Sequence, residues 1–163
     1  METDYVVQEI DWNDIRRLTA IILSKIKQRN LEIDTLVPVF RGGSVLALFL
    51  ASNMRNVKTS CIHVKRSLTN TVNAAFGDAK FLGITNPEDI TGKNILITED
   101  TVDFGYSLDC AIFELKKYKP KNIYVATMYS FNNDKYKDII YGEYLNDSRW
   151  IVFPWEEEFT DEN

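Results

Sequence analysis

The feature that most constrains the fold is an apolar run near the middle of the chain that ends in acidic residues. The run, 94–98, reads Asn-Ile-Leu-Ile-Thr and leads directly into Glu99 and Asp100. A third acid, Asp103, precedes Gly105, and an amphipathic segment follows. This order predicts a buried strand, a loop and a helix. Because ligands of parallel α/β sheets bind beyond the carboxyl ends of the strands, we expect a binding site here.

The residue types in this loop indicate two kinds of ligand group. Backbone N–H groups at a loop and a helix N-terminus hold phosphate. Carboxylates would repel a phosphate, and they suit sugar hydroxyls or Mg²⁺ instead. A site that offers both contacts fits a phosphorylated ribose. The alternative from these residues alone is structural, with Asp103 as a helix cap and Glu99 as a solvated side chain.

The stretch 99–107, Glu-Asp-Thr-Val-Asp-Phe-Gly-Tyr-Ser, resembles the phosphoribosyl-pyrophosphate (PRPP) signature of type I phosphoribosyltransferases. Two further segments resemble that family in the required order. Val-Phe-Arg-Gly-Gly at 39–43 resembles its pyrophosphate-binding loop, and 150–156 resembles the base-binding hood of the xanthine-guanine (6-oxopurine) type. The resemblance implies one α/β domain over 1–163, with a mostly parallel twisted sheet flanked by helices and a small C-terminal hood near 140–156.

The resemblance also implies a role for each segment. Glu99 and Asp100 would bind ribose hydroxyls or Mg²⁺, and Asp103 would accept the proton of the attacking base nitrogen. Lys65 and Arg66 would act with Asp103 in catalysis, because they occupy the place of the family's mobile catalytic loop; a charged surface loop is the alternative. The residues expected to bind PRPP are Arg41, Gly42, Gly43, Glu99, Asp100, Asp103, Gly105, Tyr106 and Ser107.

Base recognition is assigned by the resemblance to Trp150 and Ile151. The Trp150 ring would stack on the base and the Ile151 backbone would read its edge, whereas a place in the core is the alternative for a large aromatic residue. The lysine that the family commonly directs at the 6-oxo group is replaced near 129–131. Two bulky residues, Phe104 and Tyr106, also stand where the family has threonine and a small residue.

The chain is therefore expected to transfer 5-phosphoribosyl from PRPP to a nucleobase, foremost a 6-oxopurine, giving a nucleoside monophosphate and pyrophosphate. The implied cofactor is Mg²⁺. A non-catalytic PRPP- or nucleotide-sensing module with a degenerate phosphate turn is the alternative.

Composition agrees with these expectations. A chain of 163 residues is one domain by size, and its net charge of −5 argues against broad nucleic-acid binding. It contains no apolar run of about 20 residues that would cross a membrane, and its first residues lack the pattern of a signal peptide. Cys61 and Cys110 are predicted to be buried, reduced thiols, with a disulfide as the alternative. We expect a cytoplasmic homo-oligomer.

Periodicity predicts the secondary structure. An N-cap at Asp11 should begin a helix that ends near Gln28, Ser44 should cap a second, apolar helix at 45–54, and a third helix should begin near Tyr106. Strands are predicted at 35–40, 57–64, 94–98 and 122–129, with short strands near 139–140 and 151–153. Little periodicity is found between 65 and 81.

Overall fold

The computed structural model describes residues 6–66, 79–131, 135–136, 138–147 and 149–156, and describes Arg66 by its backbone alone. The elements in chain order are β1 (Val6–Glu9), α1 (Trp12–Gln28), β2 (Thr35–Phe40), α2 (Gly43–Ala51), β3 (Lys58–Thr59), β4 (Ile62–Arg66), β5 (Ala79–Ile84), a single 3₁₀ turn (Pro87–Asp89), β6 (Asn94–Val102), α3 (Tyr106–Lys116), β7 (Asn122–Phe131), β8 (Ile140–Leu145) and β9 (Arg149–Val152).

The main sheet has the strand order β5-β4-β2-β6-β7-β8, with β3 alongside β2. All of its pairings are parallel except that of β4 with β5. The strands β1 and β9 form a separate parallel pair. The predicted fold, a mostly parallel α/β sheet flanked by helices, is confirmed.

Helices cover both faces of the sheet because each presents an apolar stripe to it. The helix α1 begins with a capping box between Asp11 and Asp14, as the predicted N-cap requires, and buries Ile15, Leu18 and Ile22. Residues of α1 and α2 share one apolar cluster, and those of α3 belong to a second cluster. The central strand β6 contributes to both clusters, so its apolar run is buried as predicted.

The segment 57–64 was predicted as one strand, and this prediction is wrong. It forms β3 and β4, separated at Ser60, whose backbone N–H donates to Leu36 O at 2.9 Å. Strand β2 pairs with β3 through Leu36 and with β4 through Val39. Pro38, which lacks a backbone N–H, lies between these two pairings, and this explains how a central strand accommodates it.

Four other features differ from the sequence prediction. Strands β1 and β5 were not predicted, and β6 continues to Val102. The second helix was predicted at 45–54 after a cap at Ser44, whereas α2 spans Gly43–Ala51 and its N-cap is Gly42. Cys61 and Cys110 are free, as predicted, but both are partly exposed rather than buried. Within the described ranges, no helix combines the length and the apolar character that crossing a membrane requires.

Candidate active site

Glu99 and Asp100 lie near the carboxyl end of strand β6 rather than in a loop. Glu99 is 9% exposed and pairs with Thr127 of β7. The Asp100 backbone N–H donates to Glu99 Oε1 at 3.2 Å, and Asp100 Oδ1 accepts from the Thr101 backbone N–H at 2.6 Å. These short local contacts fix the direction of both carboxyl groups at the carboxyl end of the central strand.

The Asp100 side chain is partly buried, and its carboxyl group faces Gly42. Burial raises the pKa of Asp100, and the negative charge of Glu156 raises it further, whereas hydrogen bonds from Thr101 oppose the shift. Glu156 Oε2 also accepts the Phe153 backbone N–H at 3.0 Å. The segment after β9 is therefore held close to the acid pair, although sequence analysis assigned Glu156 no role.

The Arg-Gly-Gly loop packs directly on the acid strand. Strands β2 and β6 are parallel neighbours, with Pro38 opposite Thr98, so they end at the same edge of the sheet. The Thr98 hydroxyl donates to Gly43 O at 2.8 Å. A Cβ at Gly42 would overlap Asp100 Oδ2. The fold thus brings the predicted pyrophosphate loop against the predicted ribose or metal ligands.

The next turn supplies a helix N-terminus at the same edge. Asp103 is exposed, and Gly105 is the N-cap of α3 with φ 75°. A left-handed backbone of this kind favours glycine. Ser107 lies in the first turn of α3, where free backbone N–H groups and the helix dipole attract anions.

Two aromatic rings border this turn. The Phe104 and Tyr106 rings stack with their centroids 5.9 Å apart, and Phe104 is 58% exposed. Both side chains therefore lie beside Gly105 at the surface. Tyr106 also lines a groove of about 1100 Å³ between α3 and the β4–β5 hairpin.

That groove includes one of the two basic residues predicted to act in catalysis. Lys65 lines it together with Tyr106, and Lys65 pairs with Lys80 across the antiparallel strands. Arg66 is the last residue of β4, and its side chain lies outside the described part of the molecule. The rest of the predicted catalytic loop, 67–78, is likewise outside the described residues.

The hood residues fall into two groups. Trp150 is 61% exposed, and its strand pairs with β1, where Val7 lies opposite it. The Ile151 side chain is buried in the core, so only its backbone is available to a ligand. Trp155 is partly buried and stacks on Phe153 with centroids 4.4 Å apart, so it packs as a structural residue.

A metal ion would find few protein ligands here. Among the described residues, no group of three or more His, Cys, Asp or Glu side chains could hold one. Glu99 and Asp100 are two neighbouring carboxylates, and Mg²⁺ is commonly bound by one or two carboxylates together with substrate phosphates. The donor set therefore fits an Mg²⁺ ion that arrives with a phosphorylated substrate.

Comparison with known proteins finds similar sequences. The sequence model described as phosphoribosyl transferase domain matches residues 8–162. Hypoxanthine-guanine phosphoribosyltransferase of Bos taurus is 40% identical over 52 residues, which are 32% of this chain and 24% of that protein. The chain thus spans about a quarter of the length of the curated relatives that it matches.

Two solved structures share the whole fold. The purine phosphoribosyltransferase from Pyrococcus horikoshii has a TM-score of 0.76 and 24% sequence identity, over 96% of this chain and 98% of that chain. A hypothetical protein from Neisseria gonorrhoeae with bound ppGpp has a TM-score of 0.74 and 18% identity, over 97% of this chain and 93% of that chain.

Proposed function

The chain belongs to the family of phosphoribosyl transferase domains, and we propose that it transfers 5-phosphoribosyl from PRPP to a nucleobase. The base nitrogen attacks C1′, the bond from C1′ to pyrophosphate breaks, and the nitrogen loses its proton. The products are a nucleoside monophosphate and pyrophosphate. The observation that carries this proposal is the packing of the Arg-Gly-Gly loop on Asp100, because it gathers groups suited to pyrophosphate and to ribose at one edge.

Phosphate binding is assigned to two glycine-containing segments. Backbone N–H groups of residues 105–107 at the start of α3 would hold the 5′-phosphate. The loop at Gly42 and Gly43 would hold pyrophosphate, with the exposed Arg41 adding a positive charge. Because pyrophosphate gains charge as C1′ becomes oxocarbenium-like, donors in this loop stabilise the transition state more than the ground state.

The acid pair is assigned to the ribose and to Mg²⁺. Glu99 and Asp100 would accept hydrogen bonds from the 2′- and 3′-hydroxyls or bind the ion, since ionised carboxylates are pure acceptors. When bound, Mg²⁺ neutralises charge on the pyrophosphate group. The same two residues would hold the ribose ring still while the bond at C1′ changes.

Proton transfer is assigned to Asp103. It follows the last residue of β6 and is exposed at the edge where the ligand would lie. Its carboxylate would take the proton of the base nitrogen as the new bond forms. Lys65, on the groove beside Tyr106, would contribute positive charge near the leaving group, and the same role is proposed for Arg66.

The base is proposed to be a 6-oxopurine. The exposed Trp150 ring offers a face on which a purine can stack, and the curated relative from Bos taurus carries the name hypoxanthine-guanine phosphoribosyltransferase. A homo-oligomer in the cytoplasm remains our expectation for the protein.

A second candidate is a nucleotide-sensing module without turnover. The stacked rings of Phe104 and Tyr106 favour it, because they replace a hydroxyl donor with apolar surface at the phosphate turn. The bound ppGpp in the Neisseria gonorrhoeae protein is a purine nucleotide with pyrophosphate groups, and a similar ligand would suit such a module.

Pyrophosphate release separates the two candidates. The protein would be incubated with PRPP, Mg²⁺ and guanine, xanthine, hypoxanthine or adenine in turn. Pyrophosphate release in the presence of an oxopurine supports the enzyme. PRPP binding without pyrophosphate release in the presence of any of the four bases supports the sensor. Asp103→Asn should lower turnover by about 100-fold, as expected on loss of a general base, and leave PRPP affinity within about twofold.

Asp138→Asn provides the matched control for that variant. Asp138 is an exposed aspartate away from the acidic strand, and its backbone oxygen, rather than its carboxylate, accepts from Arg29. Its turnover should equal that of the parent. If the turnover of Asp103→Asn also equalled that of the parent, Asp103 would have no role in the mechanism.

A further inference from the structure

The connection between β7 and β8 reaches back to the glycine turn that begins α3. The Tyr136 hydroxyl lies 3.1 Å from Gly105 O and forms a short hydrogen bond to Asp109 Oδ1. The Lys135 ammonium forms a close ion pair with Asp109 Oδ2. Both oxygens of the Asp109 carboxylate are thus engaged by neighbouring residues of one connection.

The Tyr136 ring also occupies the space beside Gly105. A Cβ at Gly105 would lie 2.5 Å from Tyr136 Cε2 and 2.8 Å from Cζ. Gly105 is buried, and as the N-cap residue of α3 it has no side chain with which to cap the helix. An N-cap side chain normally helps to fix the start of a helix. Gly105 has no side chain, and here the Tyr136 ring and the contact of its hydroxyl with the Gly105 carbonyl oxygen restrict the turn from outside.

The charges in this cluster explain how an acid is tolerated near a phosphate turn. Asp109 follows Gly105 by four residues, and its backbone N–H donates to Gly105 O at 2.8 Å. A carboxylate here would repel a bound phosphate. Because Lys135 lies against that carboxylate, the pair is neutral and the helix N-terminus keeps its positive potential.

We propose that Tyr136 is a positioning residue for the phosphate-binding turn, fixed in place by Asp109 and Lys135. Its hydroxyl and ring hold Gly105 in the conformation that presents the N–H groups at the start of α3. Without the hydroxyl, this turn has to be ordered each time phosphate binds, and that ordering weakens affinity. The inference rests on the proposed function, since it needs PRPP to bind at this turn.

This role acts on one part of the reaction. PRPP and the nucleotide product carry the 5′-phosphate, whereas the free base does not. Loss of the Tyr136 hydroxyl should therefore raise the KM for PRPP and the Kd of the nucleoside monophosphate, with the KM for the base unchanged. If Tyr136 had a purely structural role, its loss would instead weaken the binding of PRPP and of the base together.

The test compares Tyr136→Phe with Tyr118→Phe. The first change removes only the hydroxyl and keeps the ring on Gly105. Tyr118 is partly buried against the same apolar cluster, and its hydroxyl has no hydrogen bond to another of the described residues. Calorimetry with PRPP and Mg²⁺ should give a Kd that is about 5- to 10-fold higher in Tyr136→Phe and unchanged in Tyr118→Phe.

A second variant keeps the test decisive if Tyr136→Phe fails to fold. Lys135→Gln keeps the Asp109 carboxylate that accepts from the Tyr136 hydroxyl and removes its ion pair. The carboxylate is then less firmly held and no longer neutralised beside the phosphate turn, so the Kd should rise by about 2- to 4-fold. An unchanged Kd in the folded variants overturns the inference, as does an equal rise in the KM for the base. A parent protein that binds no PRPP would remove the proposed function, and the inference with it.

Discussion

Replacing Gly43 by alanine tests whether the Arg-Gly-Gly loop, the proposed pyrophosphate site, and the strand that carries Glu99 and Asp100 form one packed unit. The new Cβ would overlap Thr98 O and lie 2.9 Å from the Thr98 carbonyl carbon and 3.2 Å from Glu99 Cα. All of these atoms belong to the backbone of a buried central strand. No side-chain rotation relieves such an overlap, so either α2 or β6 has to move.

The expected magnitude follows from two opposing effects. Gly43 begins α2, and alanine in a helix is favoured over glycine by up to about 1 kcal/mol. Inserting a methyl group into a well-packed core destabilises by about 1–3 kcal/mol, occasionally more. Because the obstacle here is backbone, the high end applies, and the net loss should be about 2–3 kcal/mol. For a domain of this size that loss lowers Tm by about 4–12 °C.

Thermal and urea unfolding of the parent, Gly43→Ala and Gly92→Ala would measure this effect. Gly92 has φ 70° and nothing within 4 Å of an added Cβ. Its alanine variant therefore reports the backbone penalty alone, about 1–2 kcal/mol. Gly43→Ala should lose more than this control and should also bind PRPP more weakly. A Gly43→Ala protein that is as stable as the parent, or more stable, would refute the packing argument, because the cost of the overlap would then not exceed the gain in helix propensity.

Two further predictions concern the ligand side of the site. Trp150→Ala should raise the KM for the base about tenfold, in line with the loss of one stacking contact, and leave the KM for PRPP within about twofold; a larger effect on PRPP, with Tm unchanged, would contradict base stacking. Burial raises the pKa of Asp100, so the folded protein holds this proton more tightly than the unfolded chain, and stability falls as the pH rises from the unfolded value of about 3.9 to the folded pKa. Asp100→Asn should therefore be more stable than the parent at pH 7, and this gain in stability should fade as the pH falls towards 4. The same variant should bind PRPP more than about tenfold more weakly. Lower stability than the parent at pH 7 would contradict the burial argument.

The parts of the fold that could be predicted are those whose signal is local. The apolar run before Glu99 predicted β6, and the acids at 11 and 14 predicted the start of α1. Strand β1 was missed because it has only four residues, with Val6 and Val7 exposed, and it forms only by pairing with β9 at the other end of the chain. Strand β5 was missed because polar and apolar residues alternate only weakly along it. It is formed by its antiparallel pairing with β4, which the local sequence does not indicate.

The same distinction applies to the candidate site. The motif at 99–107 indicated which residues meet at one edge, because parallel neighbouring strands end together. It did not indicate that Asp100 is turned towards Gly42, since that contact depends on how closely two strands and a helix pack. Nor did it indicate Tyr136, which lies some thirty positions after Gly105 and is brought back by the β7–β8 connection.

The three glycines of the site are fixed by what lies in their Cβ space. Gly42 faces a carboxylate, Gly43 faces the backbone of β6, and Gly105 faces the ring of Tyr136. Each turn is thus held by its surroundings before any ligand arrives, and preorganised backbone donors lose little freedom on binding an anion. If the proposed phosphate sites are correct, affinity for phosphate would depend mainly on these backbone N–H groups. In the proposed reaction, the missing threonine hydroxyl at Phe104 would consequently weaken PRPP binding by one contact, without removing the site that binds it.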